Sequence, residues 1–139
     1  MFNKKFLAAV VLAGATLAPA ASFAADPSSA SCILREHRIT AVTPYRVQQH
    51  GGRGVTTRLA GAEVFIQAEP GLTPEWLQLQ LARHIAAMRG AGSMANCALD
   101  VKDVGVKVDS AGPGFAVKIF AKDPSKAEEV LRRARLLVG

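Results

Sequence analysis

Four side chains that bind soft metals lie in one stretch of the chain: His84, Met88, Met94 and Cys97. His84 and Met88 are four residues apart and so share a helix face, while Met94 and Cys97 follow in a glycine-bearing segment. Thioether, thiolate and imidazole donors together are the set monovalent copper prefers. The same residues also have structural readings. Met88 belongs to an apolar stripe, His84 sits on that stripe within reach of backbone carbonyls, and Cys97 is the natural partner of Cys32, the only other cysteine. One sulfur cannot be both a thiolate ligand and half of a disulfide. Copper binding is therefore the alternative reading, and a Cys32–Cys97 bridge the primary one, with no cofactor required.

A second concentration of chemistry is cationic. Arg35, Arg38, Arg46, Arg53 and Arg58 fall in one strand-loop-strand region with His37 and His50, opposed there only by Glu36. Guanidinium forks match phosphate and carboxylate geometry, so such a patch suits an anionic envelope component or an acidic envelope protein. Nucleic acid is a poor partner, because Tyr45, Phe65 and Trp76 do not cluster as a stacking platform. Trp76 itself reads as an edge residue half-covering the core.

Enzyme chemistry finds little support. There is no GxSxG, HExxH, paired CxxC or phosphate-cradling glycine loop; the GGRG of residues 51–54 follows a polar segment and precedes a strand, the wrong context for a phosphate loop. Asp100 with Asp103, and Glu128 with Glu129, read as surface pairs. The expectation is a non-enzymatic binding or interaction module.

The compartment follows from the first residues. Lys4 and Lys5 precede an uncharged, Ala-, Leu- and Val-rich run over residues 6–21, and Ser22 and Ala24 supply the small residues a signal peptidase accepts. Residues 1–24 are expected to be a cleaved signal peptide, 25–31 a polar leader, and 32–139 a single domain in the periplasm, with no transmembrane anchor. Losing two lysines from 17 basic residues leaves 15 against 11 acidic ones, only mildly basic. In an oxidising compartment an isolated cysteine pair forms a disulfide, and closing a loop of roughly 65 residues stabilises the fold by about 4 kcal/mol in the chain-entropy model.

The elements that must position these groups are legible from periodicity. Residues 32–47 read as a strand interrupted at Pro44, and residues 48–54, with three glycines in four positions, as a loop. Residues 57–68 alternate Val64, Ile66 and Ala68 against Glu63, Phe65 and Gln67, a strand with one face on a core. Thr73-Pro74-Glu75 opens a helix whose stripe is Leu77, Leu81, His84, Ile85 and Met88, with Gln78 outside it. Residues 104–108 and 115–120 read as strands joined by a turn over 110–114. Asp123-Pro124 then starts a helix with the stripe Ala127, Val130, Leu131, Ala134 and Val138. The halves resemble each other: Val64, Ile66 and Ala68 lie on Val117, Ile119 and Ala121, and Leu77 and Leu81 on Ala127 and Leu131. The expected fold is α+β, a two-layer sandwich in which two helices cover one face of a four-stranded, mainly antiparallel sheet, in the order β-β-α-β-β-α.

Overall fold

A computed structural model describes residues 31–139; the expected signal peptide lies outside the described residues. Four strands, β1 (Ile39–Gly51), β2 (Gly54–Gln67), β3 (Val104–Ala111) and β4 (Gly114–Ala121), form one antiparallel sheet in the order β1-β2-β4-β3. Two helices, α1 (Pro74–Ala91) and α2 (Ala127–Arg135), complete the α+β architecture. Both start where the sequence provides a cap. Thr73 Oγ1 accepts from the Trp76 amide at 3.2 Å with Pro74 in the first turn, and Asp123 accepts from the Ser125 amide at 2.9 Å ahead of α2.

One apolar cluster joins the layers. Ala62, Val64 and Ile66 of β2 and Val117 and Ile119 of β4 meet Leu77, Leu81 and Met88 of α1 and Val130, Leu131 and Ala134 of α2. Fully burying a leucine such as Leu81 is worth about 1.5–3 kcal/mol, so these stripes hold the helices to the sheet. The apolar stripe of α2 ends at Ala134. Val138, expected on it, is 50% exposed in a terminal 3-10 turn, because the helix stops at Arg135.

The strand register gives the internal repeat a physical basis. Val64 pairs with Val117, its own equivalent, and Ala62 with Ile119 mirrors Ile66 with Phe115, as a local twofold axis between the halves requires. Two equivalent glycines confirm the correspondence. A Cβ on Gly61 would fall on the backbone carbonyl oxygen of Ile119, and one on Gly114 would fall on that of Ile66. The central strands can approach this closely only where no side chain intervenes.

Three local expectations are corrected. Residues 33–36 form a 3-10 turn, not strand, which folds Leu34 into the core before β1 begins. Pro44 does not interrupt β1, which is an edge strand, where the missing N–H costs no ladder bond. Most of residues 48–54 is not loop: β1 and β2 stay paired to Gly51 opposite Gly54, because Val47, Val55, Thr56 and Thr57 favour extended pairing over the pull of the glycines.

Gln78 also differs from its expected idle role. Its side-chain amide donates to the Val106 carbonyl at 2.9 Å and accepts from the Val108 amide at 2.7 Å. The helix thus stands in for a missing neighbour on the edge of β3, satisfying peptide groups that would otherwise be open to another strand.

Candidate functional site

The disulfide forms as expected, joining Cys32 to Cys97 with their Cα atoms 5.3 Å apart. Each cysteine caps a 3-10 turn: Cys32 O accepts from the Arg35 amide at 2.8 Å, and Cys97 O from the Asp100 amide at 3.1 Å. The Asp100 carboxylate closes the segment between α1 and β3, accepting from Ser93 Oγ at 2.9 Å and the Met94 amide at 2.5 Å. From α2, Arg133 reaches across to the Cys97 carbonyl at 3.4 Å.

His84 completes this corner. One ring nitrogen and the sulfurs of Cys32 and Cys97 all lie within 4.8 Å of one another. Its Nε2 is buried without a hydrogen-bond partner, and burial lowers the imidazole pKa below its ordinary value against the opposing pull of the Glu36 and Asp100 carboxylates. Of the expected metal set, Cys97 and His84 are brought together, with Cys97 committed to the disulfide. Met88 is buried on the α1 stripe, and Met94 packs partly buried against the same cluster. Sequence reasoning missed that Cys32 joins His84, since nothing in the spacing places the first turn against the middle of α1.

The arginines separate into two groups. Arg35 donates to the Leu136 carbonyl at 3.3 Å, and Arg38 is exposed just before β1. Arg46, Arg53 and Arg58 sit toward the other end of β1, a 13-residue strand about 40 Å long. There the β1-β2 hairpin outruns the sheet: β4 pairs with β2 only from Gly61 to Gln67, so residues 46–60 form a two-stranded arm. Arg46 pairs with Leu59 and Arg58 with Val47 on neighbouring rungs, so strand alternation places the two arginines on opposite faces; Arg53 is at the tip. The Nε and Nη1 atoms of Arg58 are buried and have no hydrogen-bond partner. From residue 37 to residue 62 the chain has four arginines and two histidines and no carboxylate. That absence of acid is legible in the sequence and leaves these cations without a carboxylate neighbour along the chain.

The sheet face away from the helices is differently composed. Glu63 and Phe65 are half-buried and Gln67 is exposed, a mixed surface as expected. Lys118 donates to Asp109 at 2.9 Å and lies 5.8 Å over the Tyr45 ring, and Lys107 lies 3.3 Å from the same carboxylate. The hydrogen bond with Asp109 raises the Lys118 pKa and lowers that of Asp109. Charge on this face is paired internally, whereas charge on the arm is not.

A concavity of about 460 Å³ lies at the C-terminal end of α1 over Met88, Leu99 and Val101, and mixes Arg89 and Lys102 with Asp100 and Asp103 in its lining. Trp76 is 47% exposed at the start of α1. No family model, curated protein or solved structure matches this chain.

Proposed function

We propose that this protein is an exported, non-enzymatic binding module that docks its arginine-bearing arm onto a phosphate-bearing, anionic component of the bacterial envelope. The observation that carries the reading is the arm: a two-stranded extension beyond the packed sheet, within a 26-residue stretch of sequence (37–62) free of carboxylates. Arg46 and Arg53 are exposed and can meet phosphate groups, and Arg58, half-buried on the opposite face, adds its charge with no internal anion competing for any of the three. Export rests on the basic, apolar and small-residue succession at the N-terminus and agrees with the disulfide.

Sedimentation with vesicles containing an anionic phospholipid, against purely zwitterionic vesicles, tests this. Each arginine at an anionic surface contributes about 1 kcal/mol, so Arg46→Glu, Arg53→Glu and Arg58→Glu combined should weaken binding by at least about a hundredfold, and added salt should weaken the wild type. Arg35→Glu with Arg38→Glu, at the other end of the strand, should do much less. Equal binding to both vesicle types, or no loss in the triple variant, contradicts the proposal.

A further inference from the structure

We infer that reduction of the Cys32–Cys97 disulfide opens a site for monovalent copper built from the two cysteine sulfurs and the His84 imidazole. The inference is independent of the arm. Three elements converge to make the site: the turn before β1 brings Cys32, the helix α1 brings His84, and the segment before β3 brings Cys97, with one donor atom from each within 4.8 Å of the others. Metal–sulfur bonds of about 2.3 Å place two thiolates roughly 4 Å apart around a shared ion, close to the spacing the imidazole already keeps. Only the sulfur–sulfur bond has to open.

The donor set selects the metal. Two thiolates and an imidazole with no carboxylate among them are soft, and the surrounding cluster adds Met88 and Met94 rather than oxygen donors. The nearby Asp100 carboxylate is already held by the Ser93 hydroxyl and the Met94 amide. His84 Nε2, buried with no partner, is the group an ion or a thiol would satisfy. His84 also has no counterpart in the second half, where the equivalent position is the buried Ala134 of α2. A histidine on a core stripe beside both sulfurs is costly packing unless it has something to hold.

The chemistry balances with a dithiol as reductant. Two electrons and two protons pass from the dithiol to the Cys32–Cys97 bond, leaving two thiols here and a disulfide on the reductant. Monovalent copper then displaces both thiol protons to solvent as it binds. Cys32 is the more exposed of the two cysteines, at 6% against 1% for Cys97.

The test is a copper(I) titration of the purified protein under anaerobic conditions, competed against a chromophoric copper(I) chelator, after reduction by a dithiol and removal of the reductant. One equivalent should bind the reduced protein and none the oxidised form, and His84→Gln should lower the affinity at least about tenfold. X-ray absorption on the copper form should show two sulfurs and one nitrogen. Dependence on His84 separates the folded site from two thiols on an unfolded chain, which bind copper regardless of residue 84. Equal affinity in wild type and His84→Gln overturns the inference, as does copper binding by the oxidised protein or a preference for zinc(II) in direct competition.

Discussion

The two halves of this protein share one plan and differ most in the length of their hairpins. In the second half, β3 and β4 turn through Gly112-Pro113 directly after Ala111 pairs with Gly114. In the first, Tyr45 pairs with Gly61 at the equivalent rung, but the chain runs on through residues 46–60 before returning. The core is built mainly on what the halves have in common, the close central strands and one apolar stripe per helix, with Leu34, Leu99 and the disulfide added to it. What the first half adds is an arm that contributes little to the core and holds unpaired arginines. If the arm binds as proposed, stability and interaction are separable here, because the added segment begins where the symmetric packing ends.

The largest effects are expected at the equivalent glycines. Gly61→Ala and Gly114→Ala each drive a methyl group into a backbone carbonyl of the opposing central strand, and each should cost about 3 to 5 kcal/mol in a urea melt. A large loss at one and none at the other would dissolve the twofold relation. Next come the equivalent leucines: Leu81→Ala and Leu131→Ala should each cost about 2 to 5 kcal/mol, since both are buried in the shared cluster.

The helices should part company one residue beyond the start of each stripe. Gln78→Ala leaves the Val106 carbonyl and the Val108 amide without partners and should cost about 1 to 3 kcal/mol, whereas Glu128→Ala, at the equivalent exposed position of α2, should be close to neutral. Equal effects by thermal melting would remove Gln78 from its role on the strand edge.

The smallest effect belongs to an exposed network on α2. Hydrogen bonds from Arg132 and Arg133 hold the Glu129 carboxyl at about 2, below its ordinary 4.5. A carboxylate with a depressed folded-state pKa stabilises the fold fully above its unfolded value and loses that contribution as pH falls through the folded one. Glu129→Gln should therefore be slightly less stable than wild type at neutral pH, the gap closing between about pH 4.5 and 2 and shrinking with salt. A gap that widens on acidification would reverse the sign.

Much of the scaffold was legible because periodicity and caps are local. The alternation of Val64 and Ile66, Thr73-Pro74 and Asp123-Pro124 each mark an element by their own chemistry, and cysteine parity marked the disulfide. The misses are contests between signals or contacts at long range. Three glycines between residues 51 and 54 argued for a loop, and cross-strand pairing of Val47, Val55 and Thr57 prevailed. Gln78 was placed by helical angle alone, which says nothing of a strand edge 28 residues ahead. Of the candidate sites, the arginines were visible but not their division between the two ends of β1. Cys97 and His84 are near each other in sequence, whereas Cys32 joins them only through the packing of the first turn on α1.

The most direct test of the separation between scaffold and arm is to shorten the first hairpin to within one rung of the length of the second. A Gly-Pro turn replacing residues 47–58 keeps the Arg46–Leu59 rung and Ala60 while removing Arg53 and Arg58. If that separation holds, the shortened protein keeps the far-UV circular dichroism and cooperative melt of the wild type and binds anionic vesicles at least about tenfold more weakly. A folded short-arm protein that binds those vesicles as tightly as the wild type would contradict it.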